Sequence, residues 1–433
     1  MRRIHVVALG CQMSVADGGE LARPLIERGL RPVASLGEAD VLVLNTCTVR
    51  QHAEDKAVSM IGRLKTWKDD DPERVLIVAG CAAERLGGLL LSRFPHIDLV
   101  VGAKSLDDYP RLVEEALAHR FDHPGETREG FHGEAAPNTP FGWASPVVAQ
   151  VTIMRGCNYS CAYCIVPQVR GRESYRAPGT ILADVGAKAA VGAREIVLLG
   201  QTVNSWHGRD EAGRAWRFAD LLRAVAAVPG VLRVRFESPH PHFVDDELIE
   251  ALATTPGLCG HLHLPLQSGS DRLLKRMRRN YTAASFLEKV ARLKAALPSI
   301  EVSTDIIVGL PSETGDDFAR TLEAVESLRP AWAYTFKYSP REGTQAAGWP
   351  DDVPVDVKEE RLARLNALCD AYNDEAMRAR IGKTVSVLDE TGGYGRTKDG
   401  FRVKWDAPGE PGRELLIRVT GSSKRTLLGE YER

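Results

Sequence analysis

Short apolar runs alternate with longer stretches of helical spacing through residues 1–120. The runs cover 4–9, 41–44 and 75–79, and helical stretches follow the first two, up to residue 29 and through residue 67. Nearly continuous β-branched and apolar runs are typical of strands buried on both faces of a parallel sheet. Residues 1–120 therefore predict an N-terminal α/β domain with a parallel sheet.

A second series of strand and helix patterns begins after residue 146. Its apolar runs cover 151–154, 196–199, 231–236, 261–264, 302–308 and 333–336, with helical stretches such as 245–253 and 283–297 between them. Six successive units of this kind predict an open, partial (βα)6 barrel, short of the full eight-stranded TIM ring. We assign 146–375 to this barrel. Residues 121–145, which are rich in Pro and Gly, predict a linker.

The end of the chain has a third pattern. A long helical stretch, 357–381, leads into residues 380–433, where strand-like pieces at 385–388, 401–405 and 415–419 alternate with Gly-rich turns. This pattern predicts a small OB-like β-barrel of a kind that often binds RNA. Residues 383–433 carry ten Lys and Arg against eight Asp and Glu, so the basic surplus is small.

Composition narrows the possible functions. The chain has 433 residues, is 44% hydrophobic and has a formal net charge of -2, which excludes a uniformly basic nucleic-acid binder. No apolar run approaches the roughly 20 residues that cross a bilayer, and the first residues lack the apolar core of a signal peptide. We therefore expect a cytoplasmic protein without membrane contact, and we expect a monomer.

Three cysteines occupy equivalent places in the N-terminal pattern. Cys11, Cys47 and Cys81 each lie one to three residues past the end of a predicted strand. Parallel sheets place their ligand sites outside the carboxyl ends of the strands, where neighbouring loops converge. The pattern therefore predicts a metal site, and the alternative is three small buried residues that follow strands by coincidence.

A second cysteine group follows the first strand of the predicted barrel. Cys157, Cys161 and Cys164 form a C-x3-C-x2-C pattern, which can hold three irons of a [4Fe-4S] cluster and leave the fourth open for a ligand. Zinc is the alternative, but structural zinc needs a closed set of four ligands, and no fourth cysteine or histidine lies nearby in the sequence. Cys259 and Cys369 belong to neither group.

The second cysteine group, with Tyr163 before its last cysteine, resembles the signature of the radical S-adenosylmethionine (SAM) superfamily. The resemblance implies that Cys157, Cys161 and Cys164 are the catalytic cluster ligands and that the open iron binds SAM. Within that superfamily the chain resembles the methylthiotransferases, in stretches 9–13, 45–50, 79–81, 170–173, 200–204, 264–271 and 305–309. This likeness implies a second, auxiliary [4Fe-4S] cluster on Cys11, Cys47 and Cys81, and an RNA-binding TRAM module at the end of the chain.

Within the methylthiotransferases, the sequence is most similar to the MiaB type, the tRNA-2-methylthio-N6-isopentenyladenosine synthases. The stretch Gly10-Cys11-Gln12-Met13 carries that likeness. Ser14, Thr202 and Glu237 depart from the usual pattern, which leaves the choice of RNA substrate open.

Further polar residues are candidates for binding. Gln201, Glu237, Gln267 and Asp305 lie at or near the ends of barrel strands and could bind the ribose or amino group of SAM, although such residues are also common for structural reasons. Six basic residues could contact tRNA phosphates, namely Arg170, Arg172, Lys275, Arg276, Arg278 and Arg279. The alternative is a structural role for them, in ion pairs or as favourable charge at the end of a helix.

The expected reaction replaces an aromatic C–H bond by C–S–CH3 on a tRNA adenosine beside the anticodon. Such a carbon has no acidic proton, so a radical cofactor is required. The expected partners are tRNA and an electron donor such as flavodoxin or ferredoxin. Two alternatives stay open, namely methylthiolation of a ribosomal-protein side chain and a non-enzymatic iron–sulfur redox sensor that binds RNA.

Overall fold

The computed structural model describes residues 2–49, 51–118, 145–406 and 408–432. The chain divides into two compact units. The first unit comprises residues 1–144 together with 155–158 and 165–173, and the second comprises 145–154, 159–164 and 174–433. The predicted linker at 121–145 lies outside the described residues except for Ser145.

The first unit is built on a five-stranded parallel sheet with strand order β2-β1-β3-β4-β5. Its elements are β1 Arg3–Ala8, α1 Gln12–Glu27, β2 Arg31–Pro32, β3 Val41–Thr46, α2 Gln51–Asp69, β4 Val75–Gly80, α3 Cys81–Leu86, α4 Gly88–Arg93, β5 Leu99–Gly102 and α5 Tyr109–Ala118. The three predicted strands are confirmed as β1, β3 and β4. Strands β2 and β5 were not predicted, because two and four residues are too few to give a clear pattern.

Both faces of this sheet are covered, as the continuous apolar runs require. Val41 and Val43 of β3 face a core that includes residues of α1 and α5. Leu42 and Leu44 face a second core that includes residues of α2. Alternate side chains of one strand thus enter opposite cores, and a polar residue inside β3 or β4 would be buried whichever face it occupied.

The described residues from 145 to 378 contain the predicted strand and helix series. Its elements are β6 Val148–Thr152, β7 Met154–Arg155, α6 Val166–Arg170, β8 Ser174–Tyr175, α7 Pro178–Ala190, β9 Glu195–Leu199, β10 His207–Arg209, β11 Ala215–Arg217, α8 Phe218–Ala226, β12 Arg233–Phe236, α9 Asp246–Thr254, β13 His261–His263, α10 Asp271–Arg276, α11 Ala283–Ala296, β14 Glu301–Val308, α12 Gly315–Leu328, β15 Trp332–Lys337 and α13 Val355–Arg378.

The six predicted barrel strands are confirmed and form two parallel groups within the second unit. The first has the order β12-β9-β6 and the second the order β13-β14-β15. A single parallel bridge joins Val234 of β12 to Leu258, just ahead of β13. The strands thus follow one another in chain order, as an open series of parallel units requires.

The last residues of the second unit form a closed five-stranded barrel with strand order β16-β17-β18-β20-β19. Its strands are β16 Thr384–Asp389, β17 Tyr394–Thr397, β18 Arg402–Trp405, β19 Glu414–Ser423 and β20 Thr426–Tyr431. Buried and exposed residues alternate along β18 and β19, so that Val403 and Ile417 face the interior while Arg402 and Arg418 face outward. The predicted small β-barrel is confirmed, with two strands, β17 and β20, that had not been predicted. In the described part of the chain, no helix combines the length and apolar character needed to cross a membrane.

Candidate cysteine sites and their polar surroundings

The first cysteine group lies at the carboxyl ends of three adjacent strands. Cys11, Cys47 and Cys81 follow β1, β3 and β4, and these strands are neighbours in the sheet. The register pairs Thr46 with Gly80, so that Cys47 and Cys81 follow directly from paired residues. Cys47 and Cys81 are buried and Cys11 is exposed. The sheet therefore gathers the three cysteines at one edge, as their positions in the sequence predicted.

Two glycines allow this close approach. A Cβ atom on Gly10 would lie 2.2 Å from the Cβ and 2.9 Å from the Sγ of Cys47, and one on Gly80 would lie 2.4 Å from the carbonyl oxygen of Thr46. Both glycines also have φ angles in the left-handed region, 127° and 99°. The glycine directly before Cys11 and the one directly before Cys81 are thus required for local packing around the sulfur atoms.

A buried ionic network borders this cysteine group. Arg170, the last residue of α6, donates from Nε to the Sγ of Cys81 at 3.1 Å and from Nη2 to Asp17 at 2.7 Å. Asp17 is fully buried and also accepts from Arg155 Nη1 at 2.7 Å. Burial alone would raise the pKa of Asp17, but the two arginines outweigh it and hold that pKa below its usual value. Asp17 is therefore a buried carboxylate that fixes two guanidinium groups.

The thiols of this group have unequal proton affinities. A hydrogen bond from Cys47 lowers the pKa of Cys11 to about 5, and the charge of Arg170 acts in the same direction. Burial raises the pKa of Cys81 in spite of Arg170. Cys11 is thus the thiol of this group that ionises most readily, and thiolates are the form in which cysteines bind metals.

The donor set suits an iron–sulfur cluster better than one metal ion. Within the described ranges, no three His, Cys, Asp or Glu side chains stand close enough together to hold a single ion. A [4Fe-4S] cluster needs a wider spacing, because each cysteine binds a separate iron. Soft thiolates are the ligands that such clusters prefer. In addition, the buried Nη1 of Arg170 has no hydrogen-bond partner among the described residues, so it is a donor that a cluster sulfide could accept from. The residues present therefore fit a cluster on Cys11, Cys47 and Cys81.

The second cysteine group occupies a loop that is fixed by backbone hydrogen bonds. In the first unit, the N–H of Cys157 donates to the carbonyl of Gly171 at 3.1 Å, and the Asn158 side chain donates to Glu173 at 3.1 Å. In the second unit, the N–H of Ala162 donates to the carbonyl of Met277 at 3.0 Å. The start of the C-x3-C-x2-C pattern is thus held within the first unit, and Ala162 is held within the second.

Arg279 donates a hydrogen bond to a cysteine sulfur of the second group, as Arg170 does in the first. Its Nη1 donates to the Sγ of Cys161 at 3.4 Å, and its Nε donates to the hydroxyl of Tyr281 at 2.9 Å. Its guanidinium also lies 5.0 Å from the centre of the Tyr281 ring, a distance suited to a cation–π contact. One arginine donor thus contacts one cysteine sulfur in each group.

The four residues predicted to bind SAM belong to both groups of parallel strands. Gln201 and Glu237 follow β9 and β12, whereas Gln267 precedes α10 and pairs with β14. Gln267 donates its N–H to the carbonyl of Asp305 at 2.8 Å, so these two residues are neighbours. Asp305 lies inside β14 rather than after it, and its carboxylate is 3.3 Å from Nε2 of His263.

The six basic residues predicted to contact RNA have different environments. Arg172, Lys275 and Arg278 are exposed and free to meet phosphates. Arg276 is half-buried, with its guanidinium 4.1 Å from the centre of the Trp349 ring. Arg170 is buried against Asp17 and Cys81, and Arg279 is held by Cys161 and Tyr281, so neither placement fits the predicted contact with phosphates.

His240 is a further candidate functional residue, and it was not predicted from the sequence. Its ring stacks on Tyr159, two residues before Cys161, with 4.1 Å between the ring centres. Burial lowers the pKa of His240 to about 2, so the ring is neutral. Nδ1 accepts a hydrogen bond from the N–H of His242, which places the proton on Nε2, a buried atom without a partner among the described residues. Only the Pro-His-Pro-His stretch around it could have drawn attention to this residue.

Known proteins resemble the chain over its whole length. The Radical SAM superfamily model matches residues 151–325, and a model described as uncharacterized protein family UPF0004 matches residues 3–102. A protein of Syntrophobacter fumaroxidans named tRNA-2-methylthio-N(6)-dimethylallyladenosine synthase is 43% identical over 99% of this chain and 95% of its own length. A protein of the same name from Nitratidesulfovibrio vulgaris strain Hildenborough is 42% identical over 99% and 98%.

Solved structures share the fold at low sequence identity. The radical SAM methyltransferase TsrM of Kitasatospora setae, solved with cobalamin and a [4Fe-4S] cluster, has a TM-score of 0.57 at 14% identity, over 80% of this chain and 77% of that one. The cobalamin-dependent SAM radical enzyme OxsB, solved with aqua-cobalamin and SAM, has a TM-score of 0.52 at 12% identity, over 85% and 56%. These likenesses show a common architecture and leave the reaction to be argued from the sites.

Proposed function

Because the chain belongs to the tRNA-2-methylthio-N(6)-dimethylallyladenosine synthase family of radical SAM enzymes, we propose that it methylthiolates N6-(dimethylallyl)adenosine in tRNA. The observation that carries the proposal is the presence of two separate cysteine groups, one on the radical SAM strands and one on the N-terminal sheet. Transfer of a methylthio group needs both radical chemistry and a sulfur source, and two clusters would meet both needs. The names of the relatives support this substrate over a ribosomal protein or a redox-sensing role.

In the proposed enzyme, Cys157, Cys161 and Cys164 bind one [4Fe-4S] cluster, and the first cysteine group binds the other. When bound, SAM and the clusters supply the radical, the methyl group and the sulfur. The tasks of the chain are to fix the cofactor, to exclude water and to position the base.

Polar atoms near the barrel strands could bind SAM. The Oε1 atom of Gln201 is buried and has no partner among the described residues, so it can accept from an ammonium or a hydroxyl group. Asp305 and Gln267 are neighbours and offer further acceptors, and Glu237 follows the adjacent group of strands. A set of acceptors of this kind favours a ligand that carries several donors, which the amino group and ribose of SAM provide.

The C-terminal barrel offers a surface for tRNA. Arg402, Lys404 and Arg418 point outward from β18 and β19, while the residues between them face the interior. Exposed Lys and Arg on strands can neutralise backbone phosphates without reading the base sequence. The adenosine beside the anticodon lies in a loop, where its base can be unstacked and enter an enzyme site. An electron donor such as flavodoxin or ferredoxin completes the proposed set of partners.

The test uses the purified, anaerobically reconstituted full chain with SAM, a reductant and tRNA that carries N6-(dimethylallyl)adenosine. Mass spectrometry of the digested tRNA should show the 2-methylthio derivative. Matched controls are the same tRNA without the dimethylallyl group and the Cys157→Ala variant, and neither should give product. Cleavage of SAM to 5′-deoxyadenosine without methylthiolated nucleoside would refute tRNA as the substrate. No cleavage under reducing conditions would refute the radical SAM assignment.

A further inference from the structure

In each cysteine group an arginine donates a hydrogen bond to a cysteine sulfur. Arg170 contacts Cys81 in the first unit, and Arg279 contacts Cys161 in the second. The two arginines are held in place differently, by a buried carboxylate and by a tyrosine. Two unrelated local structures thus bring the same chemical group to the same kind of sulfur atom.

The contacts of Arg170 fix its guanidinium beside the auxiliary cysteines. Its side chain is 5% exposed, and its partner Asp17 is 0% exposed. Asp17 is shared with Arg155, which Glu20 also contacts, so the two cations face two carboxylates, and the Nε of Arg170 is directed at the Sγ of Cys81. Its Nη1 is buried and has no partner among the described residues, which leaves a donor for a further acceptor at this site. A cluster sulfide is an acceptor of the right charge.

Arg279 is fixed through Tyr281 rather than through a carboxylate. The Tyr281 hydroxyl donates to the carbonyl of Pro265 at 2.9 Å and accepts from Arg279, and the guanidinium lies near the same ring. Because the tyrosine is neutral, the full positive charge of Arg279 is directed at the loop that contains Cys161. Such a charge stabilises the negative charge that reduction adds to a cluster bound at this loop.

We propose that Arg170 and Arg279 are positioning residues that each hydrogen-bond the sulfur of one cluster and raise the reduction potential of that cluster alone. Net charge and hydrogen bonds to sulfur set the potentials of iron–sulfur clusters. Reduction adds one negative charge, which a nearby cation and N–H donors stabilise. Removal of either arginine should therefore make its cluster harder to reduce. The inference rests on the proposed function only in that both cysteine groups bind clusters.

The experiment measures each cluster separately in the full-length, reconstituted chain. Changing Cys157, Cys161 and Cys164 to Ala leaves the auxiliary cluster, and changing Cys11, Cys47 and Cys81 to Ala leaves the radical SAM cluster. Midpoint potentials come from anaerobic redox titration followed by electron paramagnetic resonance, without tRNA. If reconstitution gives no cluster in one of these backgrounds, the two-cluster proposal has failed, and this is a different result from an unchanged potential.

Arg170→Gln should shift the auxiliary cluster at least tenfold toward the oxidised form, which is about 59 mV for a one-electron couple. It should leave the radical SAM cluster unchanged, and Arg279→Gln should do the reverse. Arg170→Lys keeps the positive charge but loses the planar guanidinium with its several N–H donors, so we expect a smaller shift in the midpoint potential. If Arg170→Gln does not take up iron, the potential of Arg170→Lys tests the proposal instead. Arg23→Gln and Arg320→Gln, which remove exposed charges in the same two units, are the matched controls.

Electron–nuclear double resonance gives a second readout that a merely structural role would not change. A strongly coupled, exchangeable proton at the auxiliary cluster should disappear in Arg170→Gln and remain in Arg23→Gln. Potentials and proton couplings that match the controls in both arginine variants would overturn the proposal. A potential that shifts equally in both clusters with either variant would overturn the assignment of one arginine to each cluster.

Discussion

Replacement of Arg233 by Met should loosen the C-terminal barrel from the parallel strands of the second unit. Arg233 begins β12, and its side chain is completely buried. Its Nε donates to Glu414 at 2.8 Å, and its Nη1 donates to the carbonyl of Arg396 at 2.5 Å. Both acceptors belong to the C-terminal barrel, so this one side chain fixes the barrel to β12 by two strong bonds.

The magnitude follows from those two bonds. A hydrogen bond that involves a charged group contributes about 1.5 to 3 kcal/mol to the free energy of unfolding. Glu414 is one-third exposed, so water screens its bond and brings the sum to about 3 to 4 kcal/mol. Met fills much of the same space and leaves no buried charge, since Glu414 can turn toward water. The loss should therefore reflect the bonds themselves rather than a stranded ion.

Urea unfolding followed by tryptophan fluorescence measures this loss, because Trp405 lies in the interior of the C-terminal barrel. Arg425→Met is the matched control. Arg425 also joins the barrel to the preceding part of the unit, through Asp370 at 3.1 Å, but both side chains are more than half exposed. Such surface pairs contribute roughly 0 to 1 kcal/mol. Equal unfolding midpoints and slopes for the two variants would refute the reasoning.

Further predictions concern the clusters, the RNA-binding surface and the free energy of unfolding at low pH. Reconstituted protein should carry about eight irons per chain. Cys157→Ala should abolish cleavage of SAM to 5′-deoxyadenosine, whereas Cys47→Ala should retain cleavage but lose the methylthiolated product. Equal loss of SAM cleavage in both variants would contradict separate roles for the two clusters. Changing Arg402 and Lys404 to Ala should weaken tRNA binding without affecting SAM cleavage. The slope of the logarithm of the tRNA binding constant against the logarithm of salt concentration should become shallower by roughly 0.7 to 0.9 per lost phosphate contact. An unchanged slope in a filter-binding titration would show that this face does not bind phosphates. Burial raises the pKa of Asp317, but hydrogen bonds from an arginine and a serine outweigh it and hold that pKa well below its usual value. The carboxylate therefore stabilises the fold above the pKa of an unfolded aspartate, and its contribution is lost as pH falls through the lower pKa of the folded protein. Asp317→Asn should therefore lower the unfolding free energy at pH 7 and converge with the wild type in acid, and a constant difference across pH would contradict this.

The Arg233 contacts also change how RNA binding should be tested. Truncation after Arg380 would remove the acceptors of Arg233 named above and the carbonyl of Thr397, to which Nη2 of Arg235 donates at 2.6 Å, while Arg235 keeps its bond to Glu195. Each lost hydrogen bond of a charged group lowers the free energy of unfolding by about 1.5 to 3 kcal/mol. A truncated protein would thus lose stability together with the RNA surface, and outward-facing substitutions separate the two effects.

Strands with long apolar runs could be predicted from the sequence, and the short or polar ones could not. The run at 75–79 is confirmed as β4, one residue longer than predicted. Strand β17, Tyr394–Thr397, contains a glycine, an arginine and a threonine, and it forms because its backbone pairs with β16 and β18. Pairing of this kind depends on neighbours that a local pattern does not contain.

By itself, the sequence determined which cysteines belong together. In the C-x3-C-x2-C loop the spacing alone confines the sulfur atoms, and Cys11, Cys47 and Cys81 follow strands whose parallel pairing brings their ends to one edge. Only the tertiary structure decided what surrounds them. Arg170 is 153 positions from Asp17, and Arg279 is 118 positions from Cys161. A basic residue has the same local pattern whether it meets solvent, a phosphate or a buried sulfur, because its partner is chosen by the packing of distant elements.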